Sequence, residues 1–409
     1  MAIDFTFPKE VEDVRLKFRA FMQDVVKPAE EEINNLRSQN DPKWIEKIIE
    51  LRKIAKKQNM WLPHMPPEWG GLGLGPTALA AVSAEAAKTS LGPYVINCYA
   101  PDEGNMHTIL EWGTEEQKEK YLKPLCEGIA RSCFAMTEPE VAGSDPTLIQ
   151  TRARLEGDNW IINGHKWFIS GARGANFAIL IARTEDDPEI PQAANSAFLV
   201  DLPSPGWEIV RDVETMAGGH NHCEILIKDL VLPKDALLGG RGDGHRLGQS
   251  RLGPARLAHC MRWIGQIEYA LDLMVERATK RYSHGSYLSE KQGIQWMIAE
   301  SAMELYQAKL MVLHAAYKIE NKLPFKTEVS MAKYHVANTL WRVIDKAMQV
   351  HGALGYSTDS PLSEMLKQAR WSRFADGADE VHKMQIAKAA IEAFQENNTT
   401  VSATGDLPL

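Results

Sequence analysis

The sequence predicts three parts: an all-α N-terminal region over residues 1–132, a middle antiparallel β-barrel or sandwich over 133–245, and a C-terminal four-helix-bundle-like α region over 246–396, followed by a flexible tail over 397–409. Three observations carry this. Apolar residues recur every three or four positions at both ends of the chain, while short apolar runs separated by turn residues fill the middle. No helical stretch interrupts those runs, so the crossovers that a parallel sheet requires are absent and antiparallel pairing is expected.

Each part follows from local pattern. Val11, Val14, Phe18, Phe21, Met22, Val25 and Val26 form one helical stripe, and Trp44, Ile45, Ile48, Ile49, Leu51 and Ile54 form a second. Pro63 to Pro76 is rich in Pro and Gly and reads as a loop, after which alanine-rich helix returns from Thr77 to Thr89. Strands are expected at Trp160–Ile162, Phe177–Ile181, Ala197–Val200 and Cys223–Lys228. Turns are expected at Gly157–Asn159, Asn163-Gly164 and Pro203–Gly206. From Arg256 to Phe394 the period is helical again, with Lys291 to Ile319 free of Pro and Gly apart from Gly293 near its start.

Composition narrows the function classes. The 409 residues are 44% hydrophobic and 24% charged, with a formal net charge of −8. That balance argues against a nucleic-acid binder, which needs clustered Lys and Arg. Five scattered cysteines without a C-x-x-C pair predict neither a disulfide framework nor a zinc site. Charges near the start, such as Asp4, Lys9 and Glu10, leave no apolar leader, no run is long enough to span a membrane, and Asp406 to Leu409 match no targeting signal. A cytoplasmic protein is the reading.

Several motifs fail for chemistry. The glycine clusters Gly70–Gly75 and Gly239–Gly244 lack the strand–helix context and Lys-Ser/Thr of phosphate loops and read as turns. His220-x-His222 reads as a surface pair rather than a metal site. The informative stretches are Phe134-Ala-Met-Thr-Glu-Pro-Glu-Val-Ala-Gly-Ser-Asp145 and Trp160-Ile-Ile-Asn-Gly-His-Lys-Trp-Phe-Ile-Ser170. They offer hydroxyls on Thr137, Ser144 and Ser170, backbone N–H groups around Gly143, and aromatic faces on Phe134, Trp167 and Phe168. Such a set suits a flat, polar heterocycle; the blander alternative is an ordinary strand–turn–strand.

These two stretches resemble the flavin-binding signature of the acyl-CoA dehydrogenase family, and the resemblance runs to about residue 395. It implies the acyl-CoA dehydrogenase-like fold, bound FAD, an acyl-CoA substrate, an electron-transferring flavoprotein as redox partner, and a homodimer or homotetramer. It places Phe134, Met136, Thr137, Gly143, Ser144, Phe168 and Ser170 at the flavin, with Ser144 also at the substrate. Arg281-Tyr-Ser-His-Gly-Ser-Tyr-Leu288 is similar to the family's segment that reaches the partner's FAD, which assigns Arg281, Ser283, His284 and Leu288 to the cofactor. Gln349-Val-His-Gly-Ala-Leu-Gly355 resembles its later glycine turn and adds Gln349 and Gly352. Two departures stand out: the Pro139–Gly143 turn is one residue longer than usual, and Phe168 stands where many members have Trp.

Arg373-Phe-Ala-Asp-Gly-Ala-Asp-Glu-Val-His382 is similar to the family loop that carries the catalytic carboxylate, usually a Glu and here Asp376. Its duty would be to remove the substrate α-proton while the thioester oxygen is hydrogen-bonded by the base's backbone N–H and a ribityl hydroxyl of FAD. Asp379, directly before the predicted helix Glu380–Phe394, reads as the N-cap, leaving Asp376 for chemistry. Arg256 aligns with a substrate-side Arg. The loop, Arg251–Arg262 and Ala100–Met106 together look like the subfamily of family members ten and eleven and their bacterial relatives, which implies a 4-hydroxyacyl-CoA or 4-phosphoacyl-CoA as an alternative substrate. A flavin oxidase of the same fold, such as a nitroalkane oxidase, and a non-enzymatic flavoprotein subunit remain as other readings.

Overall fold

The computed structural model describes residues 6–39, 41–186, 189–219 and 221–404. His220 of the His220-x-His222 pair, Asp4 and the last residues from 405 lie outside the described set. The chain divides into two compact units. One comprises Met1–His64, Leu72–Ile96 and Arg256–Leu409, and the other Met65–Gly71 and Asn97–Ala255.

The first unit is helical. The N-terminal stripe forms helices Lys9–Phe21, Lys27–Ser38 and Lys43–Lys57, which bury Phe18, Ile33 and Leu51, and the alanine-rich segment becomes helix Pro76–Ala86. Helix Gly244–Lys280 from Arg256 onward, with helices Gln292–Glu320, Lys326–His351, Leu362–Trp371 and Asp379–Asn397, supplies most of the rest. Their core is aliphatic, with Ile267, Met274, Ala308, Val312, Val336, Leu340 and Ile344 all closed to solvent. Gly265 permits a close crossing: a Cβ there would lie 1.9 Å from the Ala84 carbonyl oxygen of helix Pro76–Ala86. The tail expected to be flexible is partly packed where it is described, since Val401–Ala403 forms one helical turn with Ala403 buried.

The second unit is built on one eight-stranded sheet. Its strands are β1 Ser132–Ala135, β2 Arg152–Glu156, β3 Asn159–Ser170, β4 Phe177–Arg183, β5 Asn195–Asp201, β6 Trp207–Asp212, β7 His222–Pro233 and β8 Leu237–Leu238, in the order β6-β7-β3-β2-β4-β5-β8 with β1 on β4. Most neighbours are antiparallel, as the alternating pattern predicts, but β1 and β2 both meet β4 in parallel. Asn163-Gly164 does not turn the chain. It lies within β3 at a shift in the β3–β7 register between Ile162 and Gly164, so a turn dipeptide is absorbed as an irregularity of a long strand.

No helix among the described residues is long and apolar enough to cross a membrane. All five cysteines are buried, and none of them forms a disulfide.

Candidate active site

In the sheet unit, β1 leads directly into the predicted flavin segment. The Phe134 ring lies under the Arg251 guanidinium, 4.2 Å from centre to centre. Arg251 Nε donates to Asn105 Oδ1 at 3.0 Å, and Asn105 Nδ2 donates to Ser132 Oγ at 2.9 Å. Asp102 then accepts from the Ser132 backbone and hydroxyl at 2.8 and 2.7 Å. A buried polar chain thus anchors the start of β1 at Ser132 and sets a guanidinium over Phe134.

A second buried pair holds the segment beyond it. Lys166, with no exposed surface, donates to the Met136 carbonyl and to Glu138 Oε1, each at 2.8 Å. Glu138 also accepts the backbone N–H groups of Gln150 and Thr151 at 2.7 and 2.9 Å. Burial pushes the Glu138 carboxyl up, but the Lys166 charge and these hydrogen bonds outweigh it and leave it below its usual range. Burial pulls the Lys166 ammonium down to about 8. The Trp167 N–H donates to the Thr137 carbonyl at 3.0 Å, stitching β3 to the same segment.

The β3–β7 ladder breaks again between Lys166 and Ile169. There Phe168 takes φ +53°, a left-handed conformation costly for an aromatic residue, and presents a ring that is 41% exposed. Ser170 Oγ shares a hydrogen bond of 2.9 Å with His222 Nδ1, and burial holds the His222 imidazole below its ordinary range and hence neutral. Gly143 is needed for space, because a Cβ would come within 2.9 Å of Thr137 Cγ2. Met136, Thr137, Val141 and Gly143 line a recess there, and Ser144 is exposed. An aromatic plate bulged out of the sheet, two hydroxyls and a glycine cradle fit a flat polar ring such as a flavin.

In the helical unit, the loop 372–378 carries Asp376 at φ +53°, followed by Gly377 at φ +112°. A Cβ at Gly377 would lie 2.8 Å from His382 Nε2, so glycine is required on both conformational and steric grounds. Arg256 Nε donates to the Asp376 carbonyl at 2.7 Å, which ties the predicted substrate-side Arg to the base loop itself. His259 Nε2 lies 3.0 Å from Asp376 Oδ2. Lys333, wholly buried, donates to the carbonyls of Ser372 and Gly377 at 2.6 and 3.2 Å. Burial holds Lys333, His259 and His382 below their ordinary values, His382 at about 4. His382 Nε2 is buried with no hydrogen-bond partner among the described residues.

The predicted cap is corrected. The last helix begins at Asp379 with Ala378 in the N-cap position, and no side chain caps it. The Asp379 carboxylate, 1% exposed, instead accepts from Arg373 Nε at 2.8 Å and from Asn338 Nδ2 at 3.0 Å. A charged partner outcompetes the backbone N–H groups that a cap would serve.

The remaining predicted cofactor residues fall on two exposed features of the helical unit. Arg281 precedes a hairpin of β9 Tyr282–Ser283 and β10 Ser286–Tyr287, and its carbonyl accepts the Leu288 N–H at 2.9 Å. His284 and Gly285, at φ +49° and +82°, make the turn. Gln349 and Gly352 end helix Lys326–His351, both exposed, with Gly352 at φ +64°. Sequence reasoning read His222 only as half of a surface pair, whereas the structure half-buries it against Ser170, and it gave no role to His259, Arg262 or Lys333.

Comparison with known proteins identifies the family. The acyl-CoA dehydrogenase N-terminal domain model matches residues 8–129, the middle domain model 133–230, and the C-terminal domain model 242–391. The chain is 36% identical over 396 residues to acyl-CoA dehydrogenase family member 11 of Pongo abelii, covering 94% of this chain and 50% of that protein. It therefore spans about half the length of that relative. It is 37% identical over 410 residues to the Mycobacterium tuberculosis protein named "Probable acyl-CoA dehydrogenase FadE2", covering 98% of this chain and 100% of the other. Butyryl-CoA dehydrogenase of Megasphaera elsdenii superposes with a TM-score of 0.82 at 25% identity, covering 95% of this chain and 100% of that one. The chain belongs to the acyl-CoA dehydrogenase family.

Proposed function

We propose that the protein is an FAD-dependent acyl-CoA dehydrogenase in which Asp376 removes the α-proton of an acyl-CoA, giving a 2-enoyl-CoA and passing electrons to an electron-transferring flavoprotein. The observation that carries this is the clamping of Asp376 at both its carbonyl, by Arg256, and its carboxylate, by His259, in a left-handed conformation, which fixes a partly exposed acid in a half-buried loop. When bound, FAD supplies the acceptor for the hydride that leaves the β-carbon. Phe134, Met136, Thr137, Gly143, Phe168 and Ser170 would hold its ring, with Ser144 also toward the substrate. Arg281, Ser283, His284, Leu288, Gln349 and Gly352 would serve the FAD of a second copy in a homodimer or homotetramer. The Asp376 carboxylate takes the α-proton, and its own backbone N–H is the donor for the thioester oxygen.

A second reading of the substrate has its own support. Arg256, Arg262, Lys333 and Arg373 surround the base loop, whereas Asp376 and Asp379 are its acids, and the excess of positive charge suits an anionic substituent on the acyl chain. A 4-phosphoacyl-CoA, formed from a 4-hydroxyacyl-CoA, carries such a group.

The test is anaerobic mixing of the FAD-loaded protein with saturated acyl-CoAs and their 4-phospho counterparts, following the flavin absorbance. Bleaching is expected, with slow reoxidation in air, in contrast to an oxidase; a panel that leaves the flavin oxidised throughout contradicts the reading.

A further inference from the structure

Arg256, His259 and Arg262 stand three residues apart on helix Gly244–Lys280 and so project from one face. We infer that this stripe positions the base: Arg262 fixes the ring proton of His259 on Nε2, and that N–H pins the Asp376 carboxylate while Arg256 pins its carbonyl. The inference rests on Asp376 being the base, and it makes His259 a positioning residue.

The hydrogen-bond inventory decides where the proton sits. A guanidinium can only donate, and an ionised carboxylate can only accept. Arg262 Nη2 lies 3.3 Å from His259 Nδ1, and Asp376 Oδ2 lies 3.0 Å from His259 Nε2. Only the neutral tautomer with its hydrogen on Nε2 satisfies both neighbours. The other neutral tautomer would oppose a lone pair to the carboxylate and an N–H to the guanidinium. A doubly protonated ring would keep the second of those conflicts.

The ring is also held in orientation. Trp263 stacks on it at 5.4 Å and 19°, and Trp371 meets its edge at 5.4 Å and 78°. Burial keeps the imidazole below its ordinary range, so it stays neutral.

The other charged groups around the loop have different partners. Lys333, from helix Lys326–His351, takes the carbonyls of Ser372 and Gly377. Asp379, at the start of the last helix, is tied to Arg373 and Asn338. His382 on that helix is neutral, held at about 4. Cys260, beside His259, is pushed up to about 12 and is an uncharged thiol. His259 therefore meets the carboxylate, and the others shape the loop's backbone and its field.

A hydrogen bond to the charged form favours that form and removes rotational freedom from the short Asp side chain. Three measurements on the FAD-loaded protein test this. His259→Phe should keep the fold and the flavin but slow flavin reduction by acyl-CoA by about a hundredfold. It should also move the acid limb of the pH–rate profile up by about one unit. His259→Gln, which retains an N–H donor, should recover most of the rate and return the acid limb toward its native position. Independently of turnover, ¹⁵N histidine NMR should show His259 as the Nε2–H tautomer, and Arg262→Leu should make it a mixture. Native rate and acid limb in His259→Phe, while Asp376→Asn is inactive, would overturn the inference and leave the base assignment intact. An Nδ1–H tautomer in the unmodified protein would overturn it as well. Full activity of Asp376→Asn would remove the base itself, and the inference with it.

Discussion

Asp376 and Asp379 sit three residues apart in one loop, and their surroundings give them different duties. Asp376 is a quarter exposed at its side chain and is met by a neutral imidazole, whereas Asp379 is closed to solvent and bonded to a guanidinium. Asp379→Asn should therefore not be silent, because it removes the charge that holds Arg373 and leaves the guanidinium with a weaker partner. A loss of about 1–3 kcal/mol is expected from a broken charge-assisted hydrogen bond, reduced by the partial exposure of Arg373. A lowered thermal midpoint with substrate-driven flavin reduction retained would match this; an unchanged midpoint would not. Sequence reasoning reached Asp376 through the resemblance of its loop, but it placed Asp379 by local rules alone. A residue directly before a helix reads as a cap, and the competing partners Arg373 and Asn338 become visible only once the loop is folded against helix Lys326–His351. His259 was hidden for the same reason, since on a helix it looks like any polar side chain until the loop it meets is known.

At the scale of elements, β3 does the most to position the site. Its two register shifts let a single strand bury Lys166 on one side and push Phe168 out on the other. The strands were legible from alternation, but the bulges were not. Asn163-Gly164 carries the composition of a tight turn, and only the pairing with β7 shows that the strand continues through it. The buried pair was equally hidden, because a Lys in a strand and a Glu in the segment after β1 look solvated until burial is known. Lys166→Met should remove the charge while keeping most of the volume, leaving Glu138 buried without its ammonium. Removing one member of such a pair costs about 3–5 kcal/mol. Because Lys166 also holds the Met136 carbonyl, the variant should release FAD more readily as well as unfold at lower temperature. Native FAD retention in Lys166→Met would show that the pair supports the sheet without ordering the flavin segment.

On the scale of the whole molecule, the helix–strand–helix plan follows from periodicity. The joining of both helical ends into one unit does not, because it depends on contacts remote in sequence. An ionic cluster shows how it is done: Glu85 takes Arg15, Arg19 and Lys88, and Lys88 reaches Glu268, which also takes Lys309. Buried and half-buried histidines give the molecule a predictable response to acid. Burial lowers the imidazoles of His107, His222, His245, His259, His335 and His382 below their ordinary value. For a histidine depressed in the folded state, the unfolded chain binds the proton first. The associated stability is complete above the ordinary value of 6.5 and is lost as pH falls toward the folded one, about 4 for His382. His165, raised by Glu140 and Glu224 against the opposing effect of its burial, acts in the other sense. The thermal midpoint should fall between pH 7 and pH 5, and less steeply in His382→Phe; an equal slope in that variant would show that His382 is not buried neutral.

Activity belongs to the whole molecule, and on the proposed mechanism it turns on the Asp376 carboxylate. The most direct measurement is the anaerobic rate at which an acyl-CoA reduces the flavin of FAD-loaded Asp376→Asn, beside Asp376→Glu and the unmodified protein. An amide cannot accept the α-proton, so Asp376→Asn should fold, bind FAD and bind acyl-CoA, yet reduce its flavin several orders of magnitude more slowly. Asp376→Glu restores the family's usual residue but moves the carboxylate outward from the Nε2–H of His259. A displacement of about 1 Å can cost about a hundredfold, so partial activity is expected. An Asp376→Asn protein that bleaches its flavin at the unmodified rate would contradict the account.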